Sequence, residues 1–254
     1  MHWRERDGVR WLEADLGGAR AAFSTRVGGV SEAPFDSLNL GVLTGDDQGA
    51  VEENRRRLAA ALGFEPDRVL FALQVHGTRL IDHSESSTEL PGSFRMPIDR
   101  EEPRRGLPEA DGHVVREPGL APLVLAADCL PVALRGPGGV AMVHAGWRGL
   151  AGGILAAAAR AVEATAAAIG PGVGPCCYEV GEEVLEAFSD LFEGVAEGGM
   201  LDLPEVARRQ LARAGAGAIQ SAGLCTSCEA ELFFSHRRDE GRTGRQAGIA
   251  WLER

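Results

Sequence analysis

The amino-acid sequence predicts one α+β domain over residues 1–254, with a mixed or antiparallel β-sheet core flanked by helices. Short apolar runs typical of strands alternate with longer runs at helical spacing. Two apolar runs flank the turn residues GPGG at 136–139, a pattern typical of an antiparallel hairpin. No linker and no internal repeat divides the 254 residues, which suffice for one large core.

In the N-terminal half the pattern alternates strand, loop and helix. Residues 18–26 favour a strand, and turn-forming residues fill the loop at 27–41. Residues 46–63 carry apolar side chains at helical spacing between an aspartate N-cap and a glycine stop. A strand over 68–76 is predicted to end at a histidine and a glycine. The polar, proline-rich segment 84–108 is predicted to be a surface loop or lid.

The C-terminal half begins with a predicted meander of short strands over 111–146. The alanine-rich segment 149–170 is predicted to be a helix that packs closely on its neighbours. Two further helices are predicted at 179–192 and 201–215. The last segment, 219–254, is expected to form short strands around an arginine-rich loop.

Composition excludes several classes of function. A formal net charge of -11 argues against nucleic acid or an anionic membrane as the main partner. All 26 basic residues are arginine, so mechanisms centred on a lysine are excluded. No apolar run reaches the roughly 20 residues of a membrane span, and the N-terminus does not resemble a signal peptide. An odd number of cysteines favours free thiols or metal ligands. We therefore expect a cytoplasmic monomer acting on small molecules.

The hairpin carries the most informative residues. If its turn is centred on 136–139, paired residues sum to 275, so Pro131 faces His144 and Cys129 faces Gly146. Cys129 and His144 then share a face as diagonal neighbours, roughly 7–8 Å apart at the backbone. His76 ends another apolar strand, and two histidines with one cysteine suit zinc with an open fourth position. The alternative is a small buried cysteine and histidines satisfied by the backbone.

A series of motifs then identifies a resemblance. FSTRVGGVSEAPFDSLNLG, NRRRL, QVHG, ADG, ADCLPV, VHAGWRG, GPCCYEVG, CTSC and FFSHRRDEGRTGRQAGIAWL occur in the order typical of the laccase-domain family. That family is also described as polyphenol oxidase, purine nucleoside phosphorylase and peptidoglycan editing factor. The resemblance implies a compact α+β fold and a catalytic metal site at His76, Cys129 and His144. Segment 84–108 is longer than the family pattern leads us to expect.

The descriptions within that family differ, and chemistry helps to choose among them. Six histidines are too few for the full copper set of a multicopper laccase, although one copper could bind two histidines and a cysteine. Zinc-activated water suits deamination of adenosine at C6. The function implied is therefore a zinc-dependent purine nucleoside phosphorylase for adenosine, inosine or methylthioadenosine, with adenosine deaminase activity. The alternatives are a hydrolase that edits peptidoglycan precursors and a copper-dependent polyphenol oxidase.

Phosphorolysis requires a phosphate clamp and a proton for the departing base. Arginine is the expected clamp, and Arg148 is the first candidate because it follows His144 by four residues. Each arginine could instead be a solvated surface charge. A proton donor is expected among the carboxylates Asp111, Asp128 and Glu179, with Asp128 more suited to orienting other groups. The full set of candidate substrate-binding residues is Arg148, Arg55, Arg26, Asn39, Asp111 and Glu179.

The other four cysteines form two short motifs. CTSC at 225–228 has the spacing of half a zinc ribbon, but the chain has no second C-x-x-C. Cys176 and Cys177 could complete a four-thiolate site, although buried or loop thiols are the simpler interpretation. The sequence alone assigns these cysteines no role.

Overall fold

Two six-stranded β-sheets face each other in the computed structural model, which describes residues 1–83, 92–94, 106–189 and 193–254. The strands are β1 His2–Arg6, β2 Val9–Asp15, β3 Ala19–Ser24, β4 Val69–Leu70, β5 Leu80–His83, β6 Gly112–Val115, β7 Ala121–Ala126, β8 Leu130–Gly136, β9 Gly139–Ala145, β10 Ala166–Ile169, β11 Ala196–Glu197, β12 Met200–Leu201, β13 Ala218–Ser221 and β14 Gln246–Leu252. The helices are α1 Gln48–Leu62, α2 Trp147–Ala151, α3 Ile154–Val162, α4 Glu182–Ser189 and α5 Leu203–Arg213, with a 3-10 turn at Pro66–Arg68.

The first sheet has the order β1-β2-β3-β14-β7-β4, and the second has the order β13-β10-β8-β9-β6-β5. Most neighbouring strands are antiparallel, but β4–β7, β5–β6 and β10–β13 are parallel, so both sheets are mixed. This confirms the predicted α+β class.

Three apolar layers hold the sheets and helices together. Phe23, Val124 and Met142 lie in the layer between the two sheets. Leu58 of α1 packs on the outer face of the first sheet, and Leu155 of α3 packs with α5 on the outer face of the second. The result is a helix–sheet–sheet–helix arrangement in which both sheets are covered on both faces.

Local sequence signals explain the first helix well. The Asp47 side chain accepts a hydrogen bond from the N–H of Ala50 at 2.9 Å, as expected of an N-cap. Gly63 ends the helix in the left-handed region with φ of 82°, which suits glycine. The predicted helix at 46–63 is therefore confirmed with its cap and its stop.

Other elements differ from the sequence expectations. The predicted helix over 149–170 becomes α2 and α3, and its last residues form strand β10 instead. Pairing of β10 with both β8 and β13 overrides the helix propensity of its alanines. The predicted strand over 68–76 is reduced to β4, and the N-terminal strands β1 and β2 were not predicted.

The hairpin β8–β9 has the predicted register. Pro131 pairs with His144, and Gly136 pairs with Gly139. Residues 84–91 and 95–105 of the predicted lid lie outside the described residues. Among the described helices, none has the length and apolar content needed to span a membrane.

Candidate metal centre and cavity

Three donor atoms converge at one end of the gap between the sheets. The ligand atoms of His76, Cys129 and His144 all lie within 4.8 Å of one another, and we call this group the three-donor centre. His144 lies on β9, and Cys129 immediately precedes β8, so the hairpin supplies two donors. Glycine at the facing position leaves room for the donors, because a Cβ at Gly146 would lie 3.1 Å from Cys129 Sγ and from His76 Cδ2, a tight contact.

Asp111 holds both histidines in place. Its carboxylate lies 2.8 Å from His144 Nδ1, and because an ionised carboxylate can only accept, Nδ1 carries the hydrogen. The same carboxylate accepts the backbone N–H groups of Val75, His76 and Gly77. His76 lies in this loop with a φ of 60°. His144 Nε2 is thus left to act as a ligand, the usual carboxylate–histidine arrangement of metal sites.

Charge at the centre favours an ionised thiol. Burial raises the pKa of Cys129, but the charge and hydrogen bonding of His144 and His76 outweigh it and lower that pKa to about 6. Burial lowers the pKa of His144, whereas Cys129 and Asp111 raise it to about 9. Burial also raises the pKa of Asp111, but the bonds from His144 and the Gly77 N–H lower it overall. The thiolate is the form that binds metal, so a lowered thiol pKa favours replacement of the Cys129 proton by a metal cation.

A cavity of about 510 Å³ opens onto the three-donor centre. Its walls combine apolar side chains with polar ones, as in many small-molecule sites. The polar groups around it include Arg55, Gln74, Tyr178, His236, Arg237 and Arg245. The volume lies within the usual range for a small-molecule ligand.

Arg55 is the most unusual cation of this cavity. It is 2% exposed, and its guanidinium lies over the rings of Phe71 and Phe94 at 4.6 and 4.8 Å. Its Nε donates to the Leu40 carbonyl, but its buried Nη2 has no hydrogen-bond partner. Burial lowers its pKa to about 10, so it stays charged at neutral pH. A buried, incompletely bonded guanidinium is expected to attract an anion.

The other predicted substrate residues lie in varied surroundings. Arg148 is exposed, with its guanidinium 4.3 Å from the centroid of the Trp147 ring. Arg26 is half-buried and paired with Asp36. Asn39 is fully buried, and its side-chain amide donates hydrogen bonds to Thr44 and Asp46. Glu179 is exposed.

Asp128 lines the cavity beside Cys129 but has both oxygens engaged. They accept hydrogen bonds at 2.6 Å from the Thr226 hydroxyl and from the backbone N–H of Arg237. An orienting role for Asp128 stays a prediction.

Sequence reasoning missed several lining residues because they come from distant segments. Tyr178, the only tyrosine of the chain, lies against the guanidinium of Arg237, 5.4 Å from its ring centroid. Burial, followed by the negative charge of Cys129, raises the pKa of Tyr178 to about 12. Two features of the sequence could have singled out Tyr178: it is the only tyrosine, and it directly follows the pair Cys176 and Cys177. Arg237 and Arg245 lie in the arginine-rich segment that was predicted only as a loop.

Fold and site together define an α+β protein of two facing sheets, with a candidate mononuclear metal centre at a ligand-sized cavity. The chain belongs to the family described as multi-copper polyphenol oxidoreductase laccase, whose pattern it matches over residues 20–253. This confirms the resemblance drawn from the motifs.

Named relatives and solved structures agree with that membership. The purine nucleoside phosphorylase YfiH of Shigella flexneri is 41% identical, covering 92% of this chain and 94% of that protein. The purine nucleoside phosphorylase YlmD of Geobacillus stearothermophilus is 39% identical, covering 92% of each. The crystal structure of YlmD from the same organism superposes with a TM-score of 0.84 at 34% identity, covering 99% of this chain and 98% of that one.

Proposed function

We propose that the protein is a zinc-dependent purine nucleoside phosphorylase that accepts adenosine, inosine or methylthioadenosine and also deaminates adenosine. The observation that carries the proposal is a cavity of about 510 Å³ that brings the three-donor centre together with the buried cation Arg55. A phosphorylase must hold a nucleoside and an inorganic anion side by side, and this cavity offers polar groups for both. The names of the relatives at about 40% identity support the same reaction.

Zinc fits the donor set of the three-donor centre. Two imidazoles and one thiolate suit zinc with an open position, and Asp111 fixes the tautomer of one imidazole. The chemistry that zinc supplies when bound is Lewis-acid activation of water near neutral pH, as deamination at C6 requires. Copper is the alternative metal, because the same ligand types occur in trigonal copper sites.

The anion is assigned to arginine side chains. Arg55 lines the cavity, and its buried Nη2 has no hydrogen-bond partner, so we propose its guanidinium as the first phosphate contact, with Arg245 as a second lining cation. Arg148 is exposed and would have to turn towards the cavity to contribute. Tyr178 keeps its proton at neutral pH, so its hydroxyl joins the candidate donors to the departing purine.

The direct test is release of hypoxanthine from inosine by the purified protein, with and without inorganic phosphate, followed by chromatography. We expect base release to require phosphate and to yield ribose 1-phosphate. Arg55→Met should raise the KM for phosphate more than Arg148→Met does, and adenosine deamination should change less in both variants. Release of base at the same rate without phosphate, with ribose as product, would contradict the phosphorylase assignment.

A second candidate function is favoured by one observation. The Cys129 sulfur lies within 4.8 Å of a ring nitrogen of each of two imidazoles, which lower the pKa of the thiol. This arrangement would also suit a thiol nucleophile attacking an amide, as a hydrolase of peptidoglycan precursors requires. This alternative needs a reactive, metal-free thiol, so chemical labelling of Cys129 distinguishes it from the metal centre. We favour the metal centre because two imidazoles lie beside the sulfur and Asp111 fixes the tautomer of one of them.

A further inference from the structure

A second group of potential metal ligands lies outside the cavity described above. The Sγ atoms of Cys176, Cys177, Cys225 and Cys228 all lie within 4.8 Å of one another, and we call them the four-cysteine cluster. Cys228 Sγ is 3.5 Å from the sulfurs of both Cys176 and Cys177. All five cysteines of the chain are free thiols. The five thiols therefore divide into one at the three-donor centre and four here.

The fold explains how two motifs about 50 positions apart meet. Strands β10 and β13 are parallel neighbours, so the segments that follow them leave the sheet at the same edge. The segment after β10 carries Cys176 and Cys177, and the segment after β13 carries CTSC. Their approach is fixed by a parallel bridge between Gly172 and Cys225, with the Thr226 N–H donating to the Gly172 carbonyl at 3.0 Å.

The spacing of the sulfurs matches a mononuclear tetrahedral site. Four thiolates bound at about 2.3 Å to one zinc ion are separated from each other by about 3.8 Å. A disulfide would require about 2.05 Å between two sulfurs. In 2Fe–2S and 4Fe–4S clusters the four cysteines are distributed over two or four irons, which places the thiolates further apart. The observed separations, from 3.5 Å to at most 4.8 Å, therefore favour one small ion.

Backbone groups already support negative charge at this position. The N–H of Gly174 donates to Cys225 Sγ at 3.3 Å, a hydrogen bond typical of metal-bound thiolates in short loops. Four thiolates this close repel one another strongly unless a cation lies among them. Two of the four cysteines are exposed, so an ion can enter from solvent.

We propose that the four-cysteine cluster binds one structural zinc ion, in addition to the ion proposed for the three-donor centre. Tetrahedral coordination by four thiolates is typical of structural zinc, which has no open position for chemistry. The ion would join two loops that each contact a lining residue of the cavity. Tyr178, which lines the cavity, directly follows Cys177, and the Thr226 hydroxyl donates to Asp128, another lining residue. The proposal does not depend on the catalytic function.

The test is the zinc content of the full-length protein after purification in reducing, metal-free buffer. We expect about two zinc ions per chain in the wild type, and about one in each of Cys129→Ser and Cys228→Ser. Ser227→Ala is the matched control, since it changes the same loop without removing a ligand, and it should keep both ions. A wild-type content of one ion that only Cys228→Ser removes would support this site and argue against metal at the three-donor centre.

A second measurement keeps the proposal testable if Cys228→Ser does not fold. X-ray absorption at the zinc edge of Cys129→Ser should give a shell of sulfur alone at about 2.3 Å. Zinc absent from that variant, or a shell containing nitrogen or oxygen, would overturn the proposal. Native mass spectrometry showing loss of two hydrogens in place of added zinc would identify a disulfide and would also overturn it.

Discussion

The three-donor centre and the four-cysteine cluster are built in opposite ways from similar ligands. The first takes two ligands from the hairpin β8–β9 of the second sheet and fixes both histidines through the fully buried Asp111. The second takes all four ligands from two loops at a sheet edge, and its stabilising contacts are backbone hydrogen bonds. The first adjoins a cavity, whereas the second has exposed sulfurs.

The difference in construction predicts different roles, a chemical one for the three-donor centre and a structural one for the four-cysteine cluster. A centre with three ligands, a carboxylate behind one histidine and space in front can take part in a reaction. A centre with four thiolates is complete and can only hold loops together. The two regions are linked through Asp128, which lies next to Cys129 and accepts the hydroxyl of Thr226 from the CTSC loop.

The largest expected difference concerns loss of a ligand. We expect His76→Ala and Cys129→Ala each to lower kcat/KM by more than about 100-fold, because loss of an outer partner alone costs 10–100-fold. Cys228→Ser should lower kcat/KM by less than about tenfold while decreasing stability by about 3–4 kcal/mol at saturating zinc. Steady-state assays with adenosine and thermal unfolding with added zinc measure both effects.

Labelling of Cys129 tests the same contrast from the thiol side. Iodoacetamide should react slowly with Cys129 in the zinc-loaded protein and faster after chelation, because a bound thiolate is a poor nucleophile. Rapid labelling that chelation does not change, with a His76→Ala variant that stays active, would favour the thiol hydrolase and contradict the metal centre.

The next effect in size comes from Asp111. Asp111→Asn removes the charge that fixes His144 and keeps a similar shape, so we expect a 10–100-fold loss of metal affinity or activity. Zinc at the four-cysteine cluster should be unaffected, which leaves about one ion per chain in dilute chelator. An equal loss of both ions would mean that Asp111 supports the whole fold and not the three-donor centre alone.

The sequence was sufficient where local signals determined the structure. The GPGG turn fixed the register of β8 and β9, so the approach of Cys129 and His144 was predictable from the pairing sum alone. Asp47 and Gly63 marked the ends of α1. In these cases the deciding contacts lie within a few residues of one another.

The sequence was insufficient where contacts between distant segments determine the structure. Alanines 166–168 have high helix propensity and were predicted as helix, but they lie in a strand between β8 and β13. The four-cysteine cluster depends on that same parallel pairing, so the sequence offered a four-thiolate site only as the less simple of two interpretations. The lining groups Tyr178, Arg237 and Arg245 reach the cavity only through the tertiary fold.

The smallest predicted effect tests the link between the two centres. Thr226→Val keeps the side-chain shape but removes the hydroxyl that donates to Asp128 Oδ1 at 2.6 Å. A buried carboxylate oxygen without that partner costs about 1–3 kcal/mol, part of which should loosen the Asp128–Cys129 turn. We expect kcat/KM to fall by up to about tenfold, with both zinc ions retained. Thr25→Val is the matched control, because the buried Thr25 hydroxyl donates to the Arg10 carbonyl on the first sheet. If both variants lose stability but only Thr226→Val loses activity, the CTSC loop supports the three-donor centre through Asp128; equal activities would show that the two centres act independently.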